Sequence, residues 1–236
     1  MTLISDSLQA MQANILQASN HANRTGLVKL LAVSKSQSAD QLRAAYLAGQ
    51  TAFGENYVQE AIMKQSELAD CKIEWHFIGP IQSNKAQLIA QNFDWVQSVD
   101  RLKIAQRLSK ARGEAALPPL NICIQINSSN ESTKSGTQAE ELHALAKEVI
   151  ALPHIKLRGL MAIPAPTNNI EKQHDQFRIV KASLTQLQQS DDLATLELDT
   201  LSIGMSGDYV VAIEEGATIV RIGSALFGAR QKPSAA

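Results

Sequence analysis

The chain has 236 residues, 44% hydrophobic and 19% charged, which suits one α/β barrel and rules out a disordered polymer. Twenty-two basic and twenty-three acidic side chains leave a formal charge of −1, and aromatics are 4%, so neither a nucleic-acid nor an anionic-membrane partner is indicated. Cys71 and Cys123 are too few for a disulfide framework and fit a reducing, cytoplasmic setting.

From the N-terminus, Met1–Gln17 lacks a basic leader, and Leu3, Leu8, Met11 and Ile15 recur as one helical face. No apolar run approaches the roughly 18 residues that cross a bilayer. Strands are then predicted at Val28–Val33, Thr51–Phe53, Glu74–Ile78, Trp95–Ser98, Leu120–Ile126, Lys156–Leu160, Leu198–Ser202 and Thr218–Ile222. Eight strands in 236 residues leave about 30 residues per unit, a normal length for a βα repeat.

Helix boundaries are marked between these strands. Ser38 with Gln41, and Thr137 with Glu140, have capping-box spacing, and Asp100 is placed to cap a helix running to about Gly113. Gly49, Gly113 and Gly216 fall where a left-handed residue ends a helix. Leu142, Leu145, Val149 and Leu152 form one apolar stripe. The pattern specifies a single (β/α)8 TIM barrel over residues 1–230, preceded by an extra N-terminal helix, with 231–236 frayed. An open doubly wound sheet is the alternative. The loops Asn127–Gly136 and Ile163–Asn169 would lie on the C-terminal face, where barrel sites are built.

Lys35 follows Leu31 and Val33 on one face of the first strand, aimed at the barrel mouth. Partial desolvation there favours a neutral amine able to attack a carbonyl; the alternative is a lysine snorkelling to water. Two glycine-bearing segments, Ser202–Asp208 and Val220–Ser224, follow the seventh and eighth strands. Backbone amides, a helix start at Ser206, and the Gly223–Ser224 pair would suit a phosphate, although each segment alone also reads as a turn. Arg221 points inward and needs an acceptor, either a carboxylate or a ligand ring nitrogen. Asn56 is a ligand contact or a helix cap, and His76 stacks on a planar ligand or sits in the core. The histidines and cysteines show no metal spacing, and Lys134 reads as a solvated loop residue.

Seven ordered blocks carry a resemblance over nearly the whole chain. They are AVSK at Ala32–Lys35, FGENYVQE at Phe53–Glu60, WHFIGPIQSNK at Trp75–Lys85, TKSG at Thr133–Gly136, LRGLMAIPAP at Leu157–Pro166, GMSGD at Gly204–Asp208 and VRIGSALFGAR at Val220–Arg230. The chain resembles the pyridoxal 5′-phosphate homeostasis proteins, single barrels related to the N-terminal domain of alanine racemase. That resemblance implies a Schiff base between Lys35 and the aldehyde of pyridoxal 5′-phosphate. It implies phosphate contacts from Ser206, Gly223 and Ser224, a pyridine-nitrogen contact from Arg221, and another site position at Asn56; His76 is expected in the cofactor site on its local stacking reading alone. Where the family often reads SKTKP, this chain has Ser34-Lys35-Ser36-Gln37-Ser38, so nothing carries over for the second lysine.

The expected function is a non-catalytic carrier that buffers the cofactor and delivers it to PLP-dependent apoenzymes, as a monomer rather than a stable oligomer. No metal, nucleic-acid or membrane partner is expected. A PLP-dependent racemase or decarboxylase is the main alternative. It would need an opposing base and a second domain, for which a barrel of this length leaves no room. A Schiff-base aldolase acting on a sugar phosphate is the third reading.

Overall fold

All eight strands form within two residues of their predicted ends in a computed structural model. The structure describes residues 3–24, 26–128, 135–193 and 196–228. Lys134 and the 231–236 tail lie outside the described residues. The elements run α1 (Leu3–His21), β1 (Lys29–Val33), α2 (Ala39–Leu47), β2 (Ala52–Glu55), α3 (Val58–Glu67), β3 (Glu74–Phe77), α4 (Ala86–Asn92) and β4 (Trp95–Val99). They continue α5 (Leu102–Glu114), β5 (Leu120–Gln125), α6 (Ala139–Ile150), β6 (Ile155–Met161), α7 (Ile170–Gln188), β7 (Thr200–Ser202), α8 (Tyr209–Glu214), β8 (Ile219–Ile222) and α9 (Ser224–Phe227).

Every strand pairs in parallel with its sequence neighbour, and β1 pairs with β8 to close the barrel, with Leu31 opposite Arg221. The open-sheet alternative is therefore wrong. Alternation separates two packing environments. Leu30, Ala32, Val96, Ile122, Ile124, Leu160, Val220 and Ile222 belong to the large cluster beneath the helices. Leu31, Ala52, Ile78 and Ile219 form one small interior cluster, and Trp95, Cys123 and Met161 form another.

Helix α1 stands outside the repeat, against α2, α8 and α9. It buries Leu8, Met11 and Ile15 as its spacing predicts, but Leu3 is 88% exposed. At α2 the capping box of Ser38 and Gln41 forms, and Gly49 and Gly216 take the left-handed φ expected of them.

Three boundary expectations are corrected. Asp100 bonds the neighbouring Arg101 guanidinium, and the α5 N-cap is Arg101. Thr137 joins the sheet edge instead of capping, since its amide donates to Gln125 and its carbonyl accepts from Asn127; Gln138 takes the N-cap. Gly113 lies inside α5, where a Cβ would come within 2.4 Å of the His154 ring, and the positive φ falls on Ala116. That glycine serves helix packing.

Candidate functional site

Lys35 follows β1 by two residues, and charged side chains hold the backbone on either side of it. Lys64, on α3, has three ammonium donors. They reach the Ser34 carbonyl at 2.7 Å, Glu55 Oε1 at 2.7 Å and Glu60 Oε1 at 2.6 Å. The Ser34 hydroxyl donates to Glu55 at 2.7 Å, and the Ser36 amide donates to Glu60 at 2.6 Å. Ser36 has φ 62°, a conformation an L residue adopts only when its surroundings hold it. Burial pushes the Glu55 carboxyl upward against the lowering effect of Lys64, and its Oε2 is buried without a partner among the described residues.

On the opposite side, the β7–α8 segment turns through Gly204, at φ 90°, where a Cβ would meet that of Ala212 at 2.6 Å. The Met205 amide donates to Asp208 Oδ1 at 2.6 Å and closes the turn. Ser206 therefore sits in this turn, two residues before the α8 N-cap Asp208, and not at the helix start as predicted. Past β8, the Ser224 hydroxyl comes within 3.5 Å of the Ser206 hydroxyl. Gly223 lies between β8 and α9, and a Cβ there would be 3.2 Å from the Val33 carbonyl. Two loops thus bring two hydroxyls and a bare backbone together.

Arg221 is buried at 4% exposure, and burial lowers its pKa to about 10, so it stays a cation at neutral pH. Its Nη1 donates to the Ser202 carbonyl at 2.6 Å and the Ser202 hydroxyl at 2.9 Å. Its Nη2 donates to the Ala162 carbonyl at 2.9 Å. These bonds engage three of the five guanidinium N–H groups, and among the described residues no carboxylate pairs with it. Among the described residues its acceptors are two carbonyls and a hydroxyl, a class neither prediction named, and Asp208 acts on it only through space.

Lys35, Asn56, Ser206, Arg221, Gly223 and Ser224 all line one cavity of about 330 Å³. Asn56 is not a cap, because Tyr57 is the α3 N-cap, and its Oδ1 is buried without a partner among the described residues. Gly79 makes room for it: a Cβ there would fall 2.3 Å from the Asn56 carbonyl oxygen. The seventh residue, His76, does not line the cavity. It lies fully buried, stacked on Trp95 with ring centroids 5.3 Å apart, and so cannot stack on a ligand. Sequence reasoning missed Gln37, Ile163 and Met205 on the cavity wall and the Lys64 clamp behind it. The only sequence signal for the clamp is the i,i+4 spacing of Glu60 and Lys64.

Comparison with known proteins shows the family and the fold. The family described as "Alanine racemase, N-terminal domain" matches residues 7–231. The "Pyridoxal phosphate homeostasis protein" of Pseudomonas aeruginosa is 54% identical over 98% of this chain and 97% of its own. The structure of PipY from Synechococcus elongatus with PLP bound superposes with a TM-score of 0.84 at 36% identity, covering 95% of this chain and 100% of that one. Alanine racemase from Corynebacterium glutamicum, at 18% identity and TM-score 0.71, covers 99% of this chain and 63% of its own, and shows the fold alone. With the barrel, the cavity and relatives matched along nearly their whole length, the chain belongs to the pyridoxal phosphate homeostasis proteins, a family built on the alanine racemase N-terminal domain.

Proposed function

We propose that this protein binds pyridoxal 5′-phosphate, holds its aldehyde on Lys35 as a Schiff base, and stores or delivers it without substantial turnover. One observation carries the reading: Lys35, Arg221 and the Ser206–Ser224 pair line the same cavity. The ligand's three recognition features match them, an aldehyde for the amine, a ring nitrogen for the unengaged arginine donors, and a phosphate for the hydroxyls and the Gly223 backbone. The orphaned Asn56 Oδ1 adds an acceptor for a ligand donor. When bound, the cofactor supplies an electrophilic carbonyl and a ring that withdraws electron density.

The chain's own residues limit how far that chemistry proceeds. Arg221 only donates, so it favours a ring nitrogen without a proton and keeps the ring a poor electron sink. Among the described residues lining the cavity, no carboxylate, histidine or tyrosine accompanies Lys35 as a second base. General-base help is typically worth about 10²–10⁴-fold. These features favour a carrier over a racemase or decarboxylase. The proposal extends to a cytoplasmic monomer that hands the cofactor to PLP-dependent apoenzymes. Among the described residues, no helix is long and apolar enough to cross a membrane.

Incubation of the cofactor-loaded protein with L-alanine in deuterated water tests the limit on turnover. No rapid deuterium incorporation at Cα is expected, and rapid incorporation would overturn the carrier reading in favour of the enzyme.

The two hydroxyls provide a second test. A charge-assisted bond to phosphate is worth roughly 1.5–3 kcal/mol. Ser206→Ala and Ser224→Ala should each weaken binding about tenfold or more in a fluorescence titration. Unchanged affinity in both variants would count against a phosphate at this lip.

A further inference from the structure

His76 leaves the cavity but stays connected to it. Its Nδ1 is 2.9 Å from Gln97 Nε2, Gln97 Oε1 accepts from the Ser202 hydroxyl at 2.7 Å, and that hydroxyl accepts from Arg221 at 2.9 Å. At the other end His76 Nε2 bonds Glu74, whose carboxylate also takes a bond from Lys29. Lys29 and Glu74 open β1 and β3, whereas Ser202 closes β7, so the chain of bonds runs from the N-terminal towards the C-terminal face of the barrel. His76, Gln97, Ser202 and Arg221 are all buried.

The two ends of this chain fix the direction of every bond within it. Arg221 can only donate, so the Ser202 oxygen accepts from it and turns its proton towards Gln97. Gln97 then offers Oε1 to the serine and its amide N–H to His76 Nδ1, which must be unprotonated. The ring proton is left on Nε2, facing the acceptor-only Glu74 carboxylate. The opposite order would set a bare Nε2 against a carboxylate. Burial lowers the His76 pKa and favours the neutral ring that this order needs. Although burial alone would raise the Glu74 pKa, bonds from His76 and Lys29 hold it down to about 2.

We propose that His76, Gln97 and Ser202 are positioning residues that lock the Arg221 guanidinium through one directional hydrogen-bond chain and keep its unengaged donors aimed into the cavity. The proposal rests on the cofactor reading for what those donors meet, but the bond order holds in the ligand-free protein. A rotatable arginine would have to be ordered when the ligand arrives. The chain, together with the Ser202 and Ala162 carbonyls, orders it beforehand, and such preorganisation appears as affinity.

Two measurements test this. The first uses ¹⁵N-labelled, ligand-free wild-type protein and reads the His76 ring nitrogens by NMR. A proton on Nε2 with a bare Nδ1 is expected at neutral pH, and an Nδ1–H tautomer or an imidazolium overturns the chain. This arm needs no variant and no cofactor. The second measures thermal stability and pyridoxal 5′-phosphate affinity in parallel. Loss of one bond predicts affinity about tenfold weaker in Ser202→Ala and about threefold weaker in His76→Leu. His76→Asn, whose Oδ1 can replace Nδ1 as acceptor for Gln97, should recover most of that affinity. Variants that melt earlier yet bind the cofactor like wild type would show a structural role only, and would overturn the proposal. If wild-type protein itself fails to bind the cofactor, the cofactor reading falls while the tautomer result still judges the chain.

Discussion

Lys35→Ala should remove the borohydride-reducible adduct completely, whereas the wild-type protein should lose its yellow colour on reduction and retain the cofactor covalently. The expectation is all-or-none because the lysine supplies the bond itself. Among the described residues lining the cavity, Lys35 is the lone lysine. Its backbone is fixed on both sides, through the Ser34 carbonyl to Lys64 and the Ser36 amide to Glu60. A freely placed lysine elsewhere would have to reach the same carbonyl without that support. The check is peptide mapping after reduction: stoichiometric label on any other lysine, in either protein, overturns the assignment. The proposed phosphate contacts predict residual, non-covalent binding in the variant.

The second large effect concerns the clamp rather than the ligand. Lys64 and Glu55 are 6% and 0% exposed, so solvent screens their pairing little. Removing one partner from a buried pair typically costs about 3–5 kcal/mol, because the other charge stays buried. Lys64→Met should therefore destabilise the fold by that amount, and the added change Glu55→Gln should restore much of the loss. The pH dependence has a definite sign. Burial already raises the Glu55 carboxyl above its ordinary range, and loss of Lys64 raises it further. A folded-state pKa above the unfolded value means that the folded state binds protons more readily, so stability is greatest in acid and falls as pH rises through the raised pKa. Urea unfolding at pH 5 and pH 8 should show a wider gap between wild type and Lys64→Met at pH 8. An equal gap at both would mean that Glu55 is not the stranded charge.

The clamp also shows where sequence reading stops. Glu60 and Lys64 have the spacing of an ordinary exposed helix pair, and nothing local says that Lys64 turns inward onto Ser34 and Glu55. Burial there is set by how α3 lies on β1 and β2, contacts that sequence periodicity does not encode. The strands were legible for the opposite reason. The first strand alternates between two apolar environments, so its pattern is written locally in Leu30, Leu31 and Ala32. His76 marks an intermediate case. A period of two identifies its inward face but not its height along the barrel axis, and height decides between touching a ligand and stacking on Trp95. Ser206 was assigned to the right loop but the wrong element, because Asp208 closes the turn and delays the helix. Arg221 was legible as an inward cation, whereas its carbonyl partners at Ala162 and Ser202 come from two other strand ends.

The seam between β1 and β8 places the first strand's lysine beside the last strand's arginine, glycine and serine. A nascent chain carries Lys35 early, but Arg221, Gly223 and Ser224, which the proposal assigns to the ring and to part of the phosphate, arrive only with the final strand. Without its last strand the barrel would thus lack part of the proposed site. A ligand that binds only the closed form draws the closing equilibrium towards completion in proportion to its concentration. In a cell short of the vitamin, the final strand would lose that assistance, and the lifetime of the open chain would track supply.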